Sequence, residues 1–200
     1  METTLTLAIL AFTTGFSAAQ AQTVAVSKAE AAELGVHRIE RLIALNKIEK
    51  DFGSKLESVS VMPMPATTDA DVAFMVTATQ FVIPGATAES VLLNLNNAGK
   101  LLSFTATQDG NQSTTAAFPD KDAATCLELG LHKLEADAAD PAAAPFYNDM
   151  SSVKLVPVMM DMNGTAMMSS VNVVITSTAV TTTLTYQMAL DGTITGRNIQ

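Results

Sequence analysis

Apolar and polar residues alternate with two different periods along this chain, and the switch between periods happens twice. From Ala31 to Leu45 the spacing is helical. At 100° per residue Ala31, Ala32, Leu34, Gly35, Val36, Ile39, Leu42, Ile43 and Leu45 share one half of the wheel. Ser27 followed by Glu30 is a capping-box signature, which starts the predicted helix there and runs it to about Lys50, ended near Gly53. The period then drops to two. Val59 and Val61 alternate with polar neighbours before Pro63 and Pro65, which predict an edge strand or a bulge. Val72 to Val82, Val91 to Leu95 and Leu101 to Thr107 follow as strands, the last two joined by an Asn96-Asn97-Ala98-Gly99 turn.

The second pass begins at Asp122, a predicted cap for a shorter helix whose apolar half holds Cys126, Leu127, Leu129, Leu131 and Leu134. Ala138 to Pro145 reads as a loop. Asn163-Gly164 between Val153–Met162 and Thr165–Thr178 is the strongest hairpin signal in the chain, and Asp191-Gly192 makes another before Thr193–Ile199. One stretch ties the passes together: Glu33-Leu34-Gly35-Val36-His37-Arg38-Ile39-Glu40 returns as Glu128-Leu129-Gly130-Leu131-His132-Lys133-Leu134-Glu135, with five of eight positions identical. Phe52, Val59 and Pro63 are echoed by Phe146, Val153 and Pro157, and Val72–Thr79 by Val171–Thr178. The order is kept, with offsets between 93 and 99. This predicts an α+β fold made of two tandem repeats, each one helix plus a four-stranded antiparallel meander sheet. The expected organisation is a signal peptide over 1–21, a first module over 22–108, a linker over 109–121 and a second module over 122–200. Gly35 and Gly130 sit mid-helix on the apolar half, where glycine costs about 1 kcal/mol relative to alanine. The use inferred for them is close approach of the helix backbone to a sheet.

Charge and the first residues narrow the setting. Leu5 to Phe16 is a short apolar run before a small-residue cleavage pattern, Ala19-Gln20-Ala21, so export is expected, to the periplasm or the medium. No Lys or Arg precedes that run. With 20 acidic residues against 11 basic ones the chain repels phosphate backbones, so nucleic acid is not an expected partner. No later apolar run suggests a membrane span. A lone cysteine, Cys126, leaves no disulfide framework, so stability rests on the apolar core, and packing the two modules together would serve both.

Two groups of residues suggest chemistry. Glu33, His37 and Glu40 form one strip of helix surface and Glu128, His132 and Glu135 form another; were the helices to face each other, these strips would suit a divalent metal. Their plain alternative is a solvated face of Glu–His pairs. Met159, Met160, Met162, Met167 and Met168 crowd the Asn163-Gly164 turn, with Met62 and Met64 on the corresponding strand of the first module. A two-residue loop puts Met160, Met162 and Met167 on one face, a thioether trio suited to Cu(I). Val156 and Val158 continue that row, which argues for core packing instead. Cys126, on the apolar half of its helix, reads as inert packing. No Gly-x-Ser-x-Gly elbow, P-loop or Gly-x-Gly-x-x-Gly is present, and no motif asks for a cofactor.

The layout of paired helix-plus-four-strand modules resembles, in architecture only, the secreted β-lactamase inhibitory proteins and the periplasmic PepSY-type proteins, both roughly cystatin-like. The resemblance implies a non-enzymatic binder or inhibitor outside the cytoplasm, and no site residue carries over from it. The expectation is therefore an exported, non-catalytic binding protein that offers a polar sheet face and end loops to an extracytoplasmic protein. The alternative is a periplasmic metal or small-ligand carrier using the His/Glu strips or the methionine hairpin.

Overall fold

The computed structural model describes residues 26–81, 89–107 and 122–200; the expected leader over 1–21 and linker over 109–121 lie outside the described residues. In chain order the elements are α1 (Lys28–Ala44), β1 (Leu56–Pro63), β2 (Phe74–Gln80), β3 (Ser90–Leu95) and β4 (Leu101–Thr107). Then come α2 (Ala123–Ala136), the short α3 (Ala144–Asn148), β5 (Met150–Met162), β6 (Thr165–Ser177), β7 (Thr183–Met188) and β8 (Ile194–Ile199). A single 3₁₀ turn, Gly53–Lys55, precedes β1.

The fold is α+β with one antiparallel sheet of eight strands, in the order β4-β3-β2-β1-β5-β6-β7-β8. The seam is β1 against β5, with Ser58 opposite Lys154, Val59 opposite Val153 and Ser60 opposite Ser152. Of the two prolines expected to mark an edge or a bulge, Pro63 is the last residue of a central strand and Pro65 lies beyond its end. Met64 N–H bonds the Ala73 carbonyl, so its neighbour Pro63 turns its nitrogen away from β2. On that side the pairing with β5 has already ended at Ser60, and no ladder bond is lost.

Helix α1 opens on the predicted box: Ser27 Oγ accepts the Glu30 N–H, and the Glu30 carboxylate accepts the Ser27 N–H. It stops at Ala44, earlier than expected. Asn46 takes a left-handed conformation (φ 53°), its N–H bonds the Ile43 carbonyl, and the Lys47 N–H bonds the Leu42 carbonyl. That is a Schellman cap built on asparagine rather than glycine. The chain beyond it folds back to bury Ile48 and Phe52. Asp122 caps α2 as expected, accepting the Thr125 N–H at 2.8 Å. Part of the stretch expected to be loop is α3, opened by Pro145, with Phe146 buried beneath it.

α1 packs on β1, β2 and β3, α2 on β5, β6 and β1, and the helices also touch each other. One apolar cluster runs through all of it. The glycines sit against strands: a Cβ on Gly35 would come within 2.6 Å of Val76 Cγ1, and one on Gly130 within 2.5 Å of Val173 Cγ1. The pairing registers correct the sequence alignment here. Val61 faces Val76 and Leu155 faces Val173, whereas the echo read in the sequence sets Val76 beside Ile175. The slip is two residues, which keeps the same face.

Candidate functional site

The core-facing residues of each strand leave the alternate positions on the side away from the helices. Across the sheet stand Thr107, Ser90, Thr79, Ser58, Lys154, Val174, Thr185 and Asn198, one from each strand. This is the polar outer face that the sequence leads one to expect. It is interrupted at one end. Beyond the rung joining Pro157 to Val171, β5 and β6 pair only with each other among the described residues, and they project as a two-stranded arm. Asn163 and Gly164, both with positive φ, close the arm in two residues. Met162 lies opposite Thr165 and Met160 opposite Met167, as the two-residue turn requires.

The methionines are not core. Val153 and Leu155 point to the helices, so Val156, Val158, Met160 and Met162 take the opposite face, and Met167 joins them from β6. Met159, Met160, Met162 and Met167 are 52–55% exposed, and Met168 packs partly against the core. The expectation that the row of Val156 and Val158 favours burial is overturned. Met62 and Met64 are exposed toward the opposite end of the sheet.

On the helix side, α1 and α2 run antiparallel with the two charged strips facing. His37 Nδ1 lies 3.0 Å from Glu128 Oε1, and His132 Nε2 lies 2.7 Å from Glu33 Oε1. Glu33 stands to His132 as Glu128 stands to His37. Glu33 and Glu40 each lie 3.7 Å from His37, on its Nε2 and Nδ1 sides respectively. His37, Glu40 and Glu128 offer three ligand atoms within 4.8 Å of one another. Glu135 does not join that trio; with Glu30, Glu33 and His37 it lines an adjoining cleft of about 310 Å³.

Glu128 is part-buried, with a side chain 17% exposed. Burial first, and then the charges of Glu40 and Glu33, push its carboxyl above the usual range against the opposing pull of His37 and His132. Its Oε1 is enclosed and accepts no hydrogen bond, even with His37 Nδ1 at 3.0 Å. Among the described residues, no Lys or Arg is recorded within ion-pair distance of Glu33, Glu40, Glu128 or Glu135.

Two groupings were not foreseen. At the end of α2, Asp137 accepts hydrogen bonds from the buried Tyr186 hydroxyl at 2.9 Å and from Lys133 Nζ at 2.7 Å. Arg197 lies 3.6 Å from Asp137 and bonds Asp140 at 2.6 Å. Burial alone would raise the Asp137 carboxyl; the bonds from Lys133 and Tyr186, with the charges of Lys133 and Arg197, outweigh it and hold it low. Burial and the Asp137 carboxylate push the Tyr186 phenol far above its usual value. The second grouping is a cleft of about 220 Å³ that gathers Arg38, Arg41 and Lys100 over Leu42, Leu45 and Leu101. Helix spacing signals the Arg38–Arg41 pair, but nothing local signals Lys100. Cys126 is a buried thiol on the core side of α2.

No helix among the described residues is long and apolar enough to cross a membrane. No family model, curated protein or solved structure matches the chain.

Proposed function

We propose that the protein is an exported, non-catalytic binding protein that engages another extracytoplasmic protein through its outer sheet face and, above all, through the β5–β6 arm. One observation carries this reading: Met160, Met162 and Met167, each half exposed, share one face of an arm that projects beyond its sheet, with a fourth exposed methionine, Met159, on the other face. Soluble monomers rarely show contiguous large apolar patches, and methionine is adaptable enough to fill an irregular groove on a partner. Among the described residues the outer edge of each strand of the arm has no ladder partner, a template for adding a strand from the other protein. The Thr- and Ser-rich face beside it supplies hydrogen-bonding groups for a polar rim.

The scaffold is, in this reading, a duplicated unit of one helix and four strands. Two irregularities support it. The ladder breaks between Leu56 and Ser58 and again between Met150 and Ser152, and between Asn94 and Leu95 and again between Gln187 and Met188. Each break recurs at the offset of its own strand, 94 for the first pair and 93 for the second. Bulges are designed features of a sheet, and matching ones argue for common descent of the halves. The likeness of layout to the secreted inhibitory proteins belongs to the same proposal.

The test is site-specific photo-crosslinking in the native host, with the reactive group at Met160 or, as a control on the helix side, at the exposed Leu45. The reading expects one discrete protein adduct from position 160 and none from position 45. No adduct at 160, or the same products from both positions, would overturn it.

A further inference from the structure

We propose that His37, Glu40 and Glu128 form a binding site for one divalent first-row transition cation of the Zn²⁺ class, with Glu33 and His132 as positioning residues. The site lies on the opposite side of the molecule from the methionine arm and does not depend on the protein-binding reading.

Spacing is the first argument. Donors about 2.0–2.2 Å from one tetrahedral ion stand about 3.4 Å from each other. His37 Nδ1 is 3.0 Å from Glu128 and 3.7 Å from Glu40, which brackets that value before any movement. His37 and Glu40 are a helical i,i+3 pair about half exposed, so they adjust freely and leave a way in for the ion.

The second argument is an unmet need. Glu128 Oε1 is enclosed, sits against an imidazole nitrogen, and still accepts no hydrogen bond. Enclosed carboxylate oxygens ordinarily find donors. An ion between Nδ1 and Oε1 would satisfy both atoms at once. Elsewhere Asp51, Glu57, Asp137, Asp140 and Asp149 pair with Lys or Arg, whereas among the described residues the ion-pair partners of this cluster's carboxylates are imidazoles.

The third argument is the surround. A histidine that binds metal through one nitrogen usually turns the other to a carboxylate, which fixes the ring. His37 Nε2 faces Glu33 Oε1 at 3.7 Å, and Glu33 is held in turn by His132 Nε2 at 2.7 Å. The chain thus provides both an inner set and a support behind it. The ligand chemistry selects the ion. One imidazole with two carboxylates suits Zn²⁺, Co²⁺ or Mn²⁺; Cu(I) asks for soft sulfur, and Mg²⁺ or Ca²⁺ for oxygen alone.

The experiment is calorimetric titration of the full chain with ZnCl₂ in a non-chelating buffer, with MgCl₂ in excess as competitor. One Zn²⁺ per chain, undisturbed by Mg²⁺, is expected. His37→Ala and Glu128→Gln should each abolish it, and His132→Ala should weaken it by about 10–100-fold, as loss of a supporting shell does. Circular dichroism shows whether each variant is folded. Co²⁺ gives a second readout in the unaltered protein: intense visible bands of a four-coordinate ion, displaced by Zn²⁺. No Zn²⁺ uptake by the unaltered chain overturns the proposal. So does uptake that folded His37→Ala and Glu128→Gln variants retain, which would mark adventitious surface binding.

Discussion

Gly130→Ala tests the close approach of α2 to β6, and its sign is not the one a helix scale gives. In an exposed helix interior the change would stabilise by about 1 kcal/mol. Here the new Cβ would stand 2.5 Å from Val173 Cγ1, 3.1 Å from Val173 Cβ and 3.2 Å from Val173 Cγ2. Ordinary carbon contacts are about 3.5–4.0 Å. Rotating Val173 does not help, because its Cβ and both methyls are already too near, and a β-branched residue is stiff at χ1. Helix and strand must then part, at the upper end of the about 1–3 kcal/mol that overpacking costs. Set against the propensity gain, about 2 kcal/mol of destabilisation remains, a fall in Tm of about 4–8 °C for a chain of this size. Gly35→Ala is the internal control: only Val76 Cγ1, at 2.6 Å, is too close, and Val76 Cβ at 3.5 Å is in ordinary contact. Turning one side chain relieves that, at about 0.5–1.5 kcal/mol. Urea titration of both variants should place Gly130→Ala below Gly35→Ala by at least about 1 kcal/mol. In a double-mutant cycle, Val173→Ala should recover about 1–2 kcal/mol of the Gly130→Ala loss. A Tm that rises in Gly130→Ala, or a cycle with no coupling, would refute the close-approach argument.

Three further outcomes follow from burial and charge. Phe146→Ala should cost about 3–5 kcal/mol by thermal or urea unfolding, the loss typical of a fully enclosed ring, and Phe52→Ala a like amount. The double variant Met160→Lys/Met167→Glu, which sets opposite charges across the ladder, should unfold within about 0.5 kcal/mol of the unaltered chain, because both side chains are half exposed; a large loss would return the methionines to the core. Asp137→Asn should cost about 1.5–3 kcal/mol at neutral pH through its charge-assisted bonds. Asp137 is held low in the fold, so its contribution is complete above the ordinary carboxylate range and is lost as pH falls through its depressed value. The gap between the two proteins should accordingly close in acid, and a gap independent of pH would contradict the assignment.

What the sequence made legible was local. The Ser27–Glu30 box, the Asp122 cap and the Asn163-Gly164 turn each act over four residues or fewer, and each appears where read. Asn46 is local too, and it ends α1 before the expected glycine because asparagine also tolerates a left-handed conformation. The faces of β5 were beyond reach for a different reason. Val153, Leu155, Val156 and Val158 are apolar on both phases of the two-residue period, so alternation cannot say which side meets the helices. Pairing with β1 and β6 decides it. The same holds for Pro63, whose place on a central strand depends on how far the β5 ladder runs. The facing of His37 with Glu128 depends in turn on how α1 and α2 lie over that sheet, which nothing between residues 33 and 40 encodes.

The seam between the halves is self-complementary, and this accounts for where the candidate cation site falls. Val59 pairs with its own counterpart, Val153, and the rungs on either side join Ser58 to Lys154 and Ser60 to Ser152. Above them, the exchange of His37 with His132 and of Glu33 with Glu128 maps one helix contact onto the other. Such exchange is the mark of an isologous contact between two copies of one subunit. Under the proposed duplication, fusing the copies freed each half to drift. Lys154 now bonds Glu57, and the corresponding position in the first half is Ser60. Likewise Glu40 has joined His37 and Glu128, whereas Glu135 faces the neighbouring cleft. Two equivalent weak sites in a symmetric pair become, in one chain, a three-ligand centre on one side and its support on the other. A single ion per chain, rather than two, is the stoichiometry this asymmetry requires.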